Sequence, residues 1–100
     1  MTFVRVWRYR VPAAARAEFA RRYAADGDWA GLFARGEGYL GTQLLRAADD
    51  EATWVTLDRW RSAADWHAFR ARHAEAYAAL DAACEHLTDA EDDLGDYVEP

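Results

Sequence analysis

Residues 36–73 constrain the fold most, because two candidate strands and a capped helix follow one another there without a break. Residues 39–46 and 53–60 have the β-branched and aromatic content of strands. The segment between them lacks an Asn-Gly or Asp-Gly pair, which favours a loop of several residues. Ser62, followed three residues later by Asp65, resembles a capping box and predicts the start of a helix.

The flanking segments complete the order of elements. Residues 3–11 alternate as a strand, and Pro12 leads into an Ala-rich helix over residues 13–25 with a short helical piece after it. Residues 89–93 are predicted as an acidic turn, and residues 94–99 as a short final strand. The chain is therefore predicted as one α+β domain over residues 1–100, a ferredoxin-like βαββαβ fold with a four-stranded antiparallel sheet.

A single apolar stripe is predicted along the second long helix, where large side chains recur at steps of three and four residues. One histidine interrupts the stripe. Its members are Trp66, Phe69, His73, Tyr77, Leu80, Cys84 and Leu87.

Composition narrows the partners and the compartment. The formal charge of −6 argues against a nucleic-acid partner. Hydrophobic residues make up 52% of this small chain and aromatic residues 14%, which predicts a homodimer or a pocket for a small apolar or aromatic ligand. No leader-like or membrane-spanning run is seen, and Cys84 is the only cysteine, so we expect a cytoplasmic protein without a membrane partner.

Several kinds of catalytic site are disfavoured by the motifs. The three histidines lack metal-binding spacing, so no metal site is predicted. The glycines at 36 and 38 precede a strand instead of opening a helix, which argues against a phosphate loop. Ser62 is the only serine and is used as a helix cap, which leaves none for a Ser-His-Asp triad.

The chain resembles the antibiotic biosynthesis monooxygenase family over nearly its whole length. The resemblance is carried by Val11-Pro12 leading into a helix with Phe19, by the segment GYLGTQLL at residues 38–45, and by DRWRS at residues 58–62, followed by Trp66 and Phe69. It implies a dimeric α+β barrel whose subunits each hold a pocket between sheet and helices. It also implies oxygenation of aromatic polyketides without a metal, flavin or other cofactor, or else oxidative haem breakdown.

The haem-degrading branch of that family is the third reading. Its pattern of an Asn, a Trp and an axial His falls on Trp7, Phe69 and Ala79 in this chain, so the haem ligand is missing. The second reading is a noncatalytic ligand-binding or structural dimer, whose aromatic side chains serve packing.

The oxygenase reading, which comes first, needs a dry apolar cavity and a proton acceptor. His73 is the predicted catalytic residue. Arg5, Gln43, Asp58 or His67 could orient the substrate, and Trp29 could join the wall. The predicted substrate-binding residues are Trp7, Tyr9, Tyr39, Trp54, Trp66, His67, Phe69 and Tyr77.

Which face of the sheet meets the helices stays open, because a shift of one residue exchanges the two faces of a strand. One facing turns an aliphatic row toward the helices: Val4, Val6, Leu40, Leu44, Val55 and Leu57. The other turns a polar and aromatic row toward them: Arg5, Trp7, Tyr9, Gln43, Trp54, Thr56 and Asp58.

Overall fold

A computed structural model describes residues 1–100. Its strands are β1 (Thr2–Arg10), β2 (Tyr39–Ala47), β3 (Asp50–Trp60) and β4 (Ala90–Glu99). Its helices are α1 (Arg16–Tyr23), α2 (Asp28–Phe33), α3 (Ala63–Arg72) and α4 (Ala74–Cys84), with short 3-10 turns at Ala13–Ala15 and Glu85–Leu87. None of the helices combines the length and apolar character needed to cross a membrane.

The strands form one antiparallel sheet in the order β2-β3-β1-β4. This order places the first and last strands side by side, as a ferredoxin-like fold requires. The predicted α+β class and four-stranded antiparallel sheet are therefore confirmed.

The acidic segment at residues 89–93 is not a turn, contrary to the sequence prediction. Most of it belongs to β4, which begins at Ala90 and pairs with β1. Arginines of β1 neutralise it across the strands: Arg8 contacts Asp92 and Arg5 contacts Asp93.

The apolar stripe does not lie on one continuous helix, because the chain bends at His73. There the backbone leaves helical dihedrals, with φ −114° and ψ 30°, and separates α3 from α4. No proline or glycine marks the bend in the sequence. The prediction of one helix was therefore wrong, although Trp66 and Phe69 on α3 and Cys84 on α4 are buried as the stripe indicated.

The hairpin between β2 and β3 is also tighter than predicted, since only Ala48 and Asp49 separate the strands. No non-glycine residue in the chain has a positive φ, so a turn of the Asn-Gly kind is not used. The Asp50 carboxylate accepts hydrogen bonds from the Ala52 amide (2.9 Å) and from the Thr53 hydroxyl (2.8 Å). These two bonds fix the start of β3 directly after the turn.

The helices cover one face of the sheet, called here the inner face. Phe3 and Tyr9 of β1 and Trp60 of β3 lie on it and pack into the same core as helix residues such as Phe19 and Phe33. Register places Arg5 opposite Asp58 and Trp7 opposite Thr56 on that face. The polar and aromatic row therefore faces the helices, with one exchange: Leu44 pairs with Thr56 and lies inside, whereas Gln43 pairs with Leu57 and lies on the other, outer face.

The strand pairing has three irregularities: one lies beside the hairpin, between Arg46 and Ala47, and the other two are single-residue bulges on β2 and β4. The bulge on β2 explains that exchange. On β2, Leu40 is an extra residue between the Tyr39–Trp60 and Gly41–Arg59 pairs. On β4, Leu94 is extra where the pairing with β1 passes from Val6 to Trp7. Each bulge contains a glycine with positive φ, Gly41 at +140° and Gly95 at +99°, a conformation that other residues rarely adopt.

Candidate functional site

A cavity of about 130 Å³ lies between the inner face and the helices. Aromatic side chains supply much of its wall, and the sheet contributes polar groups. Exposed Asp81 and Glu91 are part of the lining, so the cavity meets solvent between α4 and β4. The lining residues are Arg5, Trp7, Tyr9, Tyr23, Trp29, Phe33, Thr42, Thr56, Asp58, Trp66, Tyr77, Asp81 and Glu91.

Asp58 is the buried carboxylate of this cavity, with 8% of its surface exposed. Burial raises its pKa from the usual value of 3.8 to about 6, because the charged form loses hydration. The Thr42 hydroxyl, which donates to Asp58 Oδ1 at 2.7 Å, and the charge of Arg5 both oppose that rise. A carboxylate with this pKa is ionised at neutral pH and gains a proton in mildly acidic solution.

Arg5 lies directly across the strand pair from Asp58 but makes no ion pair with it. Its guanidinium donates to Asp96 Oδ1 at 2.6 Å and to Asp93 Oδ2 at 3.4 Å. Its Cζ also lies 4.9 Å from the ring centroid of Trp66, a cation–π contact. The arginine is thus held in the wall by two acids and an indole.

Two phenols border the same space. The Tyr9 hydroxyl lies 3.2 Å from the Thr56 hydroxyl, and burial raises the pKa of Tyr9 well above its usual value. Burial likewise raises the pKa of Tyr77, although Arg70, with its Cζ 3.7 Å from the centroid of that ring, acts in the opposite direction. Both phenols therefore stay protonated at neutral pH and can donate hydrogen bonds.

Four of the predicted substrate-binding residues line this cavity: Trp7, Tyr9, Trp66 and Tyr77. They come from β1, α3 and α4, and the chain bend before Tyr77 helps bring them together. Trp29, named as a further wall residue, lines it as well, as do Arg5 and Asp58.

The other four predicted substrate-binding residues lie outside the lining. Tyr39 contacts it indirectly, because its hydroxyl lies 2.6 Å from that of Thr42. Phe69 is buried in the aromatic core beside Trp60. Trp54 packs against Phe19 near the hairpin end of β3, and His67 is exposed on α3.

His73, the predicted catalytic residue, lies at the bend between α3 and α4. It is half-buried, and its ring centroid is 5.2 Å from that of Phe69. It is not among the cavity-lining residues, none of which is a histidine. No group of three or more His, Cys, Asp or Glu side chains is arranged to hold a metal ion.

Of the two threonines of the site, Thr56 belongs to the polar and aromatic row named from the sequence, whereas Thr42 was missed. Thr56 alternates with Trp54 and Asp58 on β3, and a small polar residue within an aromatic row is a readable sign of a cavity. Thr42 gave no such sign, because the bulge at Leu40 changes which β2 residues face inward. Tyr23, Phe33, Asp81 and Glu91 were also missed, since helix packing brings them to the cavity.

Comparison with known proteins connects this architecture to one family. The sequence model of the antibiotic biosynthesis monooxygenase family matches residues 2–82. No curated protein matches the chain.

Solved structures resemble the chain over almost its full length. A variant of SnoaB, a cofactor-independent oxygenase from Streptomyces nogalater, is 23% identical, with a TM-score of 0.80 over 98% of this chain and 92% of that one. A proposed antibiotic biosynthesis monooxygenase from Bordetella bronchiseptica is 15% identical, with a TM-score of 0.79 over 99% and 97%. A conserved protein from Methanosarcina mazei is 10% identical, with a TM-score of 0.74 over 100% and 94%. At these identities the likeness shows a shared fold.

Proposed function

Because the chain belongs to the antibiotic biosynthesis monooxygenase family, we propose that it is a cofactor-independent oxygenase acting on a small hydroxylated aromatic molecule. The observation that carries the proposal is the cavity itself, which joins aromatic walls to a buried carboxylate without an ion-pair partner. The likeness to a cofactor-independent oxygenase supports the same reaction class.

The proposed reaction converts a phenolic ring and dioxygen into a quinone and water. The deprotonated substrate reduces dioxygen, one oxygen atom forms the new carbonyl on the ring, and the other leaves as water with two substrate hydrogens. The protein binds the ring, excludes water and accepts the first proton.

The size of the cavity limits the substrate. About 130 Å³ is below the ~300 Å³ of typical ligand pockets and close to the ~150 Å³ that holds one benzene ring. We therefore propose that one hydroxylated ring enters the cavity, while any further ring of a polyketide-like substrate extends through the mouth at Asp81 and Glu91. The haem-degrading reading fits poorly, since a haem macrocycle exceeds this space and no histidine lines it.

Oxygen consumption tests the function directly. Purified protein, treated with a chelator and free of flavin, is mixed with single-ring and fused-ring phenols, and oxygen uptake and quinone absorbance are recorded. We expect uptake and quinone in equal amounts. Absence of both with every phenol would reject the oxygenase.

Substitution of two tryptophans on the inner face tests where the substrate binds. Trp7→Ala removes a cavity wall and is expected to raise KM. The same change at Trp54, which lies outside the cavity, tests its predicted binding role. An equal rise in KM would extend the binding surface to the hairpin end of the sheet, whereas no rise would restrict it to the cavity.

The role predicted for His73 has its own test, His73→Ala. A large loss of turnover would support His73 as the proton acceptor. Unchanged turnover would remove it from the mechanism.

The outer face supports a homodimer as part of this proposal. Its centre carries Val6, Val55 and Leu57, no helix covers it, and Leu45 and Tyr97 on it are 45% and 55% exposed. Burial of such a surface against a second copy would remove apolar area from water. We propose that two sheets pack through their outer faces, as expected of a dimeric α+β barrel.

A noncatalytic ligand-binding dimer is the second candidate, favoured by the small size of the cavity. It predicts saturable binding of single-ring phenols without oxygen uptake. The oxygen measurement above therefore separates the two candidates.

A further inference from the structure

The two oxygens of the Asp58 carboxylate have different surroundings. Oδ1 accepts the hydrogen bond from Thr42, whereas Oδ2 has no hydrogen-bond partner. The fully buried side-chain polar atoms without a partner are the indole nitrogens of Trp29 and Trp60, so Oδ2 is not among them and keeps accessible surface. Because Asp58 is a lining residue, that surface faces the cavity.

A chain of hydroxyl groups fixes the orientation of the carboxylate. Thr42 has a single hydroxyl proton, which it donates to Asp58. The Tyr39 hydroxyl, 2.6 Å from Thr42 Oγ1, must then be the donor in their contact. The hydroxyl protons of Tyr39 and Thr42 are thus both directed along the chain toward Asp58. Oδ1 is already used as a hydrogen-bond acceptor, which leaves Oδ2 as the oxygen that can receive a proton.

The neighbouring charges leave this carboxylate unneutralised. Arg5 is the one cationic lining residue, and its hydrogen bonds go to Asp93 and Asp96. The other titratable groups that line the cavity with Asp58 are Arg5 and Tyr9 on β1, Glu91 on β4, Tyr23 on α1, and Tyr77 and Asp81 on α4. Beyond the lining, the Tyr39 hydroxyl on β2 contacts Thr42, and Arg70 on α3 lies over the Tyr77 ring.

From this geometry we infer that Asp58 Oδ2 accepts the hydroxyl proton of the bound aromatic molecule, with Tyr39 and Thr42 as positioning residues. The inference rests on the proposed function and names its proton acceptor. The substrate O–H bond breaks, its electron pair stays on the substrate oxygen, and the proton forms a bond to Oδ2. The net charge of the cavity is unchanged, because the carboxylate is neutralised as the phenolate forms.

This step also defines the substrate class. The ring that enters the cavity must carry a hydroxyl group able to reach the inner face, and an O-methylated ring cannot supply the proton. A carboxylate on that ring would be repelled by Asp58 in the cavity and by Asp81 and Glu91 at the mouth. Neutral phenols are therefore preferred to phenolic acids.

The pH dependence of turnover tests the assignment. In the wild-type protein kcat/KM is expected to fall below about pH 6, where Asp58 gains a proton. Asp58→Asn should lower turnover by ~100-fold or more and remove this acid limb. An acid limb that persists in Asp58→Asn would overturn the inference.

The positioning residues give a second readout. Thr42→Val removes a donor that lowers the pKa of Asp58, so the acid limb should move to higher pH, and Tyr39→Phe should move it in the same direction by less. A residue that only supported packing would leave the limb in place. An unmoved limb in Thr42→Val would overturn the positioning roles.

Binding separates this inference from the proposed function, since it needs no turnover. Phenol and anisole, which differ by one methyl group on the oxygen, are titrated calorimetrically against wild type, Asp58→Asn and Asp50→Asn. Asp50 is the matched control, because it accepts a threonine hydrogen bond on the same strand but lies outside the cavity.

Wild type and Asp50→Asn are expected to prefer phenol by ~10-fold or more, and Asp58→Asn to lose the preference, as a hydrogen bond to a charged group requires. A preference that survives in Asp58→Asn would overturn the inference. If the preference depends on Asp58 but wild type consumes no oxygen with any phenol, the acceptor stands and the oxygenase is rejected.

Discussion

The two faces of this sheet are made by the same strands but have opposite chemistry. On the inner face, polar groups such as Asp58 and Thr42 lie under helices and aromatic rings. On the outer face, aliphatic side chains such as Leu57 are half-buried with no helix over them, and Arg–Asp pairs such as Arg8–Asp92 lie toward the edge. Polar groups are thus buried on one face, while apolar groups lack a cover on the other. Each face therefore needs a different partner: a small ligand inside and a second subunit outside.

The largest expected effect is on assembly. Leu57→Arg places a charge at the centre of the outer face, and in a symmetric dimer the charge occurs twice, so burying it costs several kcal/mol. We expect the mass measured by light scattering to change from dimer to monomer, with the circular dichroism spectrum unchanged. Ala82→Arg, on the exposed side of α4, is the control and should remain dimeric. A Leu57→Arg dimer would locate the interface elsewhere.

The next effect concerns the packed end of the inner face. Trp60 is fully buried and its ring centroid is 5.2–5.6 Å from those of Tyr39, Trp66 and Phe69. Trp60→Ala should lower the free energy of unfolding by about 3–5 kcal/mol, measured by urea denaturation. Trp54→Ala, on the same face but only partly buried, should cost less. Equal losses would mean that the hairpin end is as closely packed as the Trp60 end.

The third effect is the cost of burying Asp58. Its folded pKa of about 6 lies above the usual 3.8, so its stabilising contribution is complete below about pH 4 and is lost as the pH rises through 6. The side chain introduced by Asp58→Asn does not titrate, so this variant does not lose stability over that pH range. Its stability relative to wild type should rise by about 2 kcal/mol between pH 4 and pH 7, measured by denaturation at each pH.

Asp50 is the control for that measurement, because its pKa is shifted in the opposite direction. A hydrogen bond from the Ala52 amide and another from Thr53 lower the pKa of the exposed Asp50 carboxylate. Its stabilisation is present at neutral pH and disappears as the pH falls through the lowered pKa. Asp50→Asn should therefore lose stability relative to wild type at pH 7. Parallel pH profiles for the two variants would contradict the contrast between buried and exposed aspartates.

The smallest effect is expected at the edge of the outer face. Arg8 and Asp92 are 3.3 Å apart, and their side chains are 50% and 53% exposed. Arg8→Gln should change the free energy of unfolding by about 0.5 kcal/mol or less, because solvent screens exposed ion pairs. Arg5→Gln, whose partner Asp96 is 2.6 Å away and whose side chain is 14% exposed, should cost more. The reverse order would indicate that Arg8 is buried by the second subunit.

Much of the fold could be predicted from the sequence, since period-two and helical patterns report local structure. The strand that ends at Trp60 and the helix capped by Ser62, whose hydroxyl accepts the Asp65 amide hydrogen bond at 3.1 Å, are both found. The bend at His73 was missed because no proline or glycine marks it. It moves Tyr77 to the cavity on a separate helix, while His73 lies outside the lining.

The site was harder to predict than the fold. Aromatic residues serve both packing and binding, and Trp60 and Trp66 are of the same residue type although only Trp66 lines the cavity. Asp58 could be proposed as an orienting group, but its raised pKa depends on burial by helices that are distant in sequence. Thr42 depends on a bulge, which alternation alone does not reveal.

The bulges at Leu40 and Leu94 have a consequence for the comparison of related sequences. Because each adds one residue, side chains three positions apart point the same way: Tyr39 with Thr42, and Asp93 with Asp96. Loss of a single codon at either place would restore strict alternation and separate the members of one pair onto opposite faces. A relative that retains all four polar residues but carries a one-residue gap there would therefore lack this arrangement, so alignment gaps at these two positions are more informative than residue identity.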